Sequence, residues 1–167
     1  DFYATPPECT NALLDNFDWL FSGSRIWEPA CGDGAISKVL EGIGYEVIST
    51  DLYYRGYGDS GMNFLNADCQ CDGIITNPPF NLAAEFIERS AAKNIPFAML
   101  TKATFWHAKK RHKLFKATRP MAIIAMTWRP VMSPERGKSA TMDFIWTVWG
   151  AAPSKKTEYI LQGKNSD

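Results

Sequence analysis

The stretch Arg25-Ile26-Trp27-Glu28-Pro29-Ala30-Cys31-Gly32-Asp33-Gly34 decides the fold, because it runs from an apolar segment into a glycine turn. The residues that follow it, Ala35 to Glu41, have the character of a helix. When a strand is followed by a G-x-G turn and then a helix, a ligand can approach the backbone of the turn closely, since glycine has no side chain. The stretch predicts a parallel strand whose carboxyl end faces a ligand, although a purely structural turn has the same local pattern.

Elsewhere the chain alternates short β-rich runs with amphipathic helical runs, which predicts an α/β fold with a mainly parallel sheet and helices on both faces. The predicted strands are Arg25–Ala30, Tyr45–Thr50, Asp72–Thr76, Ile95–Leu100, Met121–Thr127 and Met142–Trp149. The predicted helices are Ala35–Glu41, Asn81–Lys93 and Thr104–Lys116, with Asn81 as an N-cap. In such sheets ligands bind beyond the carboxyl ends of the strands.

Length and composition indicate one soluble globular domain spanning residues 1–167. No apolar run approaches the roughly 20 residues of a membrane helix, and the first residues do not resemble a signal peptide, so we expect a cytoplasmic protein that does not enter a membrane. Four cysteines are irregularly spaced, and only Cys69 and Cys71 lie close together in sequence. We therefore expect free thiols and no metal site.

The glycine turn favours a cationic nucleoside over a dinucleotide. Ser37 stands where the third glycine of a G-x-G-x-x-G motif belongs, and Asp33 places a negative charge where a pyrophosphate would lie. S-adenosylmethionine has no phosphate and carries a sulfonium and an ammonium group, so an acidic loop suits it. Asp51, at the end of the next predicted strand, is placed to accept hydrogen bonds from both ribose hydroxyls.

The tetrapeptide Asn77-Pro78-Pro79-Phe80 follows the apolar run Gly73 to Thr76. The Asn77 side-chain oxygen and the Pro78 carbonyl can accept the two hydrogens of an exocyclic amine, and the prolines fix the direction of that carbonyl. Phe80 offers a face on which a flipped base can stack. The tetrapeptide is therefore the candidate catalytic loop, and a rigid loop with a core phenylalanine is the alternative.

The net charge of zero conceals a strong asymmetry. The segment from Arg89 to Pro134 contains no Asp or Glu. Such a stretch can attract phosphates locally, and the alternative is a solvated helix whose bases pair with the acidic half of the chain. The candidate nucleic-acid-binding residues are Lys102, Lys109, Lys110, Arg111, Lys113 and Arg129, with Trp106 and Trp128 as further candidates and Trp146 and Trp149 favoured as core.

Together these motifs resemble the amino-group DNA methyltransferases of the N6-adenine type, in particular the small ones encoded by bacteriophages, and the resemblance covers nearly the whole chain. It implies a Rossmann-like S-adenosylmethionine-dependent methyltransferase fold, catalysis by Asn77, Pro78, Pro79 and Phe80, and a duplex DNA partner whose target base is flipped. Residues 1–101 then hold the cofactor and catalytic motifs, residues 102–150 face the nucleic acid, and a phage-encoded enzyme acts in the host cytoplasm. The implied cofactor-binding residues are Tyr3, Thr5, Glu28, Ala30, Gly32, Asp51, Leu52, Asn63 and Phe64.

The chain departs from the family pattern at Asn63-Phe64, where the family usually has Asp-Phe in contact with the cofactor's adenine. Asp68 is a second candidate for that contact. The region after Phe80 is also too short for a large separate recognition domain. Three alternatives remain open: methylation of an RNA base, methylation of a protein glutamine amide, and a catalytically silent nucleic-acid-binding module.

Overall fold

The computed structural model describes residues 2–133 and 140–164. Its centre is a seven-stranded sheet with the strand order β2-β1-β3-β4-β6-β5-β7. The strands are β1 (Arg25–Glu28), β2 (Glu46–Ser49), β3 (Gly73–Thr76), β4 (Phe97–Lys102), β5 (Ala122–Met126), β6 (Phe144–Trp149) and β7 (Glu158–Gln162). Only β6 runs antiparallel to its neighbours β4 and β5. The predicted mainly parallel α/β fold is confirmed.

Four α-helices lie in the described residues: α1 (Pro7–Phe21), α2 (Ala35–Gly42), α3 (Ala83–Ala91) and α4 (Arg111–Thr118). Helix α1 was not predicted from the sequence. The predicted N-cap at Asn81 is wrong, because Asn81 lies in a short 3-10 helix, Phe80–Leu82, and the residue that precedes α3 is Leu82. The predicted helix from Thr104 is also too long, because residues 104–110 form successive turns, such as His107 N–H to the Thr104 carbonyl.

Successive residues of the central strands point to opposite faces of the sheet, as the two-residue period of a strand requires. Ile26 and Ile75 belong to a hydrophobic cluster with α1 and α2, while Trp27 and Ile74 belong to a second cluster with α3 and α4. Both faces are therefore covered by helices, which explains why β3, Gly73–Thr76, is buried along its whole length.

The parallel pairing brings the functional motifs to one edge of the sheet. Strand β1 pairs in parallel with β2 and β3, and β3 pairs in parallel with β4. The glycine turn after β1, Asp51 after β2, and Asn77 after β3 consequently lie at the same carboxyl edge, together with Lys102 at the end of β4. This is the edge at which open α/β sheets bind ligands.

None of the helices formed by residues 2–133 and 140–164 has the length and apolar character needed to cross a membrane. Within the same residues there is no group of three or more His, Cys, Asp or Glu side chains placed to hold a metal ion. All four cysteines are free thiols.

Candidate active site

A cavity of about 290 Å³ opens at the carboxyl edge of the sheet. Its walls come from the N-terminal segment, the glycine turn, the loop after β2 and the loop after β3. The lining residues are Phe2, Tyr3, Ala4, Thr5, Glu28, Ala30, Cys31, Asp33, Ala35, Ile36, Asp51, Leu52, Tyr53, Arg55, Asn77, Pro78, Pro79, Phe80 and Leu82. The two motifs that the sequence singled out therefore face one another across a single space.

The glycine turn needs its glycines. Gly32 has a φ of 54°, in the left-handed region that side chains disfavour, and its N–H donates a 2.9 Å hydrogen bond to Asp51 Oδ2. A Cβ at Gly32 would lie 2.2 Å from the ring of Phe2. The absence of a side chain thus lets the N-terminal segment pack directly on the turn.

Asp51 connects the turn to the loop after β2. Its Oδ2 accepts from the Gly32 N–H, and its Oδ1 accepts from the Tyr53 N–H at 3.1 Å. An ionised carboxylate has about four acceptor positions, so each oxygen retains capacity for one further bond. The backbone bonds fix the orientation of the carboxylate, and the remaining capacity matches the pair of ribose hydroxyls expected there.

Glu28 is a buried carboxyl group in the wall of the cavity, with 1% of its surface exposed. The Thr76 hydroxyl donates to its Oε1 at 2.7 Å, and the Ser37 hydroxyl lies 3.5 Å from its Oε2. The pKa of Glu28 is raised from 4.5 to about 8, chiefly by burial; the Thr76 hydrogen bond partly opposes this rise, and the negative charge of Asp51 adds to it. Glu28 is therefore largely protonated at neutral pH.

This pKa predicts a pH dependence of stability. Between the ordinary value of 4.5 and the folded-state value of about 8, the folded chain binds a proton that the unfolded chain releases, so the free energy of unfolding falls as pH rises through that window. We expect Glu28→Gln to flatten this part of the profile, since glutamine mimics the protonated carboxyl group. Urea unfolding at pH 5.5 and pH 8 measures the effect. Glu88→Gln, at an exposed position of α3, is the control and should keep the wild-type slope.

Asn77 is held by the N-terminal segment. Its Nδ2 donates to Thr5 Oγ1 at 3.1 Å and approaches the Tyr3 carbonyl at 3.4 Å. These bonds fix which end of the amide is the acceptor. The acceptor itself, Asn77 Oδ1, is buried and has no hydrogen-bond partner among the described residues. A buried acceptor without a donor costs about 1 to 3 kcal/mol, so the loop is arranged for a donor that arrives with a ligand.

Phe80 forms the wall next to Asn77. Its ring stacks on Tyr3 with centroids 5.1 Å apart, and the Lys102 ammonium group lies 4.5 Å from its centre. Phe80 therefore already stacks on one aromatic ring and has a cation over its own ring, and a flipped base that stacks on Phe80 must share or displace one of these contacts.

Most of the expected cofactor residues line this cavity, namely Tyr3, Thr5, Glu28, Ala30, Asp51 and Leu52. Gly32 is not a lining residue, but its N–H donates to Asp51, which is one. Asn63 and Phe64 lie outside the lining. Phe64 is 2% exposed and packs on Trp27 and Phe86, while Asn63 Oδ1 accepts from the Leu65 N–H. The contact expected from this pair stays a prediction.

Sequence reasoning missed several lining residues, among them Phe2, Tyr53 and Arg55. The Arg55 guanidinium group lies 4.9 Å from the centre of the Phe2 ring and 5.9 Å from that of Tyr53. The signal was present, because Arg55 is the only basic residue between Lys38 and Arg89 and follows Asp51 closely.

The candidate nucleic-acid-binding residues fall into three groups. Arg129 pairs with Asp143 at 3.0 Å, an acid that lies outside the acidic half of the chain. Lys109, Lys110 and Lys113 are exposed on and before α4, whereas Lys102 and Arg111 are partly buried. Among the tryptophans, Trp146 and Trp149 are core residues with at most 1% exposure, and Trp106 packs on Trp149 while donating to Thr147 Oγ1 at 3.0 Å.

Neither the family models nor the curated proteins include a match to this chain. Solved structures do match its fold. A candidate RNA methyltransferase from Pyrococcus horikoshii is 16% identical with a TM-score of 0.66, and the match covers 90% of this chain and 87% of that one. A candidate hemolysin from Lactococcus lactis is 13% identical with a TM-score of 0.65 and coverages of 90% and 91%. The modification subunit of a candidate type I restriction enzyme from Vibrio vulnificus YJ016 is 15% identical with a TM-score of 0.61, and the match covers 96% of this chain but only 47% of that one.

The names of these proteins differ, and at such identities the likeness concerns the fold. Solved members of this fold include proteins in complex with S-adenosylmethionine or S-adenosylhomocysteine. The chain has the Rossmann-like fold of the S-adenosylmethionine-dependent methyltransferases.

Proposed function

We propose that the protein transfers a methyl group from S-adenosylmethionine to the exocyclic N6 amine of adenine in DNA, with the target base flipped out of the duplex. The observation that carries this proposal is Asn77 Oδ1 in the wall of the cavity, which is buried and has no hydrogen-bond partner within residues 2–133 and 140–164. An acceptor in that state suits a ligand that brings an N–H donor, and an exocyclic amine has two.

The residues around the cavity fit the cofactor. The carboxyl groups of Asp33 and Asp51 provide an acidic surrounding for a ligand with a sulfonium and an ammonium charge, and the Glu28 carboxyl group lines the same cavity. Asp51 accepts from the ribose hydroxyls with the capacity left by its two backbone bonds. When bound, the cofactor supplies an electrophilic methyl group on a cationic sulfur.

The loop after β3 acts on the amine. Asn77 Oδ1 and the Pro78 carbonyl accept one hydrogen each, which draws the nitrogen lone pair out of conjugation with the ring and directs it towards the methyl carbon. S-adenosylmethionine held in the cavity would supply the methyl group and leave as S-adenosylhomocysteine, and the nitrogen held by Asn77 and Pro78 would then release one proton to water. No strong base is needed, because alignment and hydrogen bonding supply the rate enhancement. Phe80 holds the plane of the base by stacking.

DNA is the favoured nucleic acid because the motif order resembles N6-adenine DNA methyltransferases and the acid-free segment from Arg89 to Pro134 suits a polyanion. The fold is shared with a modification subunit of a restriction system. RNA is the second candidate, since the same fold occurs in a candidate RNA methyltransferase over 90% of this chain. The cavity is equally compatible with an adenine from either nucleic acid.

One assay separates these substrates. The protein is incubated with methyl-labelled S-adenosylmethionine and with duplex DNA, RNA or a protein extract, and the products are digested to nucleosides and amino acids. We expect N6-methyladenine from DNA. Labelled adenine from RNA alone would replace the first candidate by the second, and labelled glutamine alone would overturn both.

A further inference from the structure

A second cavity, of about 270 Å³, lies beside the catalytic loop. Phe80 belongs to the walls of both cavities. The other walls are the start of α3, the end of β4, the turns that follow β4 and the start of α4, and they include Lys102, Phe105 and Arg111. None of these three residues lines the first cavity.

Two cations converge on this second cavity. The Lys102 ammonium group lies 4.5 Å from the centre of the Phe80 ring, and the Arg111 guanidinium carbon lies 4.5 Å from the centre of the Phe105 ring. Neither side chain forms a salt bridge with any acid in residues 2–133 and 140–164. This contrasts with Lys93 and Arg129, which pair with Asp68 and Asp143.

Arg111 also carries an unsatisfied donor. Its Nε is buried and has no hydrogen-bond partner in the described part of the chain. Leaving a buried donor of a charged group unpaired is costly, and the cost is recovered when an acceptor enters. The contact with Phe105 restricts the guanidinium group, whose planar fork of N–H donors matches the oxygens of a phosphate.

We propose that this second cavity binds one phosphate group of the DNA strand that carries the target base, held jointly by Lys102 and Arg111. This inference rests on the proposed function for the identity of the nucleic acid. Phe80 supplies the link, because a base stacked on that ring brings its own strand to the neighbouring cavity. The second cavity holds the phosphate of the strand on one side of Phe80, while Asn77 holds the amine of the target base in the first cavity on the other side.

The test measures binding of a fluorescein-labelled, single-stranded 20-nucleotide DNA by anisotropy at several salt concentrations, without cofactor. The variants are Lys102→Gln, Arg111→Gln and the double variant. Neutralising one phosphate of single-stranded DNA contributes about 0.7 to the slope of log K against log salt. We expect both single variants to weaken binding and lower the slope, and the double variant to lower it by about 0.7 in all, since both cations serve one phosphate. The control Lys116→Gln, which removes a charge from an exposed position of the same helix, should keep the wild-type slope.

Two results would overturn the inference. One is that Lys102→Gln and Arg111→Gln bind the DNA with the same affinity and salt slope as Lys116→Gln. The other is that the double variant lowers the slope by about 1.4, which would mean two separate phosphates. The variant Arg111→Lys keeps the charge but not the planar fork of donors, so its DNA affinity should lie between those of the wild type and Arg111→Gln. Equal thermal unfolding midpoints for all variants would exclude misfolding as the cause of weaker binding.

The outcome is independent of the chemistry at the first cavity. If DNA binding depends on Lys102 and Arg111 but no DNA adenine is methylated, the proposed reaction fails while the phosphate subsite stands. If DNA adenine is methylated at the wild-type rate in both variants and their salt slopes are unchanged, the subsite fails while the proposed reaction stands.

Discussion

Replacing Asn77 by alanine is expected to lower the turnover number for methyl transfer by at least about 100-fold, the usual cost of removing one preorganised hydrogen-bonding group from a reacting centre. The variant removes Oδ1, a buried acceptor to which no described residue donates, and with it one of the two bonds proposed to hold the amine. Cofactor affinity should change little, because the acidic side chains of the cavity stay in place. Single-turnover kinetics with a labelled methyl group measures the rate of methyl transfer, and isothermal titration calorimetry with S-adenosylhomocysteine measures the cofactor affinity.

Asn77→Asp is the matched control for this prediction. Aspartate keeps an acceptor at the position of Oδ1, and the Thr5 hydroxyl, which now accepts from Asn77 Nδ2, can rotate and donate to the new carboxylate. This variant should therefore retain clearly more activity than Asn77→Ala. An alanine variant that transfers methyl groups at the wild-type rate would remove Asn77 from the mechanism.

Replacing Asp51 by alanine is expected to weaken cofactor binding at least about 100-fold, because two hydrogen bonds to a charged acceptor contribute about 1.5 to 3 kcal/mol each. The change also removes the partner of the Gly32 N–H, which loosens the glycine turn. The turnover number at saturating cofactor should fall far less, since Asp51 belongs to the ribose side of the cavity and not to the catalytic loop. Calorimetry and steady-state kinetics separate the two effects.

Asp59→Ala provides the comparison for Asp51→Ala. Asp59 lies in the same loop, is exposed and is outside the cavity lining, so its removal should leave cofactor affinity unchanged. Equal losses of cofactor affinity in the two variants would mean that the net charge of the loop, and not the position of Asp51, governs cofactor binding. Normal affinity in Asp51→Ala would show that its role has been misassigned.

The sequence was sufficient for the central strands and for the common edge at which the motifs meet. Gly73–Thr76 reads as a fully buried strand because all four residues suit burial on both faces, and the structure buries all four. Once the strands are parallel, the residues after Glu28, Ser49 and Thr76 must come together, whatever the loops do. The grouping of Asp51 and Asn77 around one cavity follows from that geometry.

Three features of the secondary structure were not predicted from the sequence: the late start of α4, the helix α1 and the strand β7. The helical propensity of residues 104–116 is overridden at its start, where Trp106 packs edge to face on Phe115 at 5.2 Å and bonds to Thr147, so that only Arg111–Thr118 is helical. Helix α1 was missed although its signals are present, with Pro7 at its first position and its buried residues on one face. Strand β7 was missed because it is an edge strand with an exposed pattern, and its place is set by pairing with β5.

The partners of Asn77 were likewise beyond local reasoning. The hydrogen bond from its Nδ2 to Thr5 spans 72 residues, and the stacking of Phe80 on Tyr3 spans a similar separation. Sequence motifs identified both segments but not the contact between them. That contact is what leaves Asn77 Oδ1 as the free acceptor.

A crystal structure of the protein with S-adenosylmethionine tests the central claim most directly. We expect the cofactor in the 290 Å³ cavity, with its ribose hydroxyls on Asp51 and its methyl carbon facing the space in front of Asn77 Oδ1. A cofactor bound away from the loop Asn77-Pro78-Pro79-Phe80, or with its methyl group turned from it, would contradict the account.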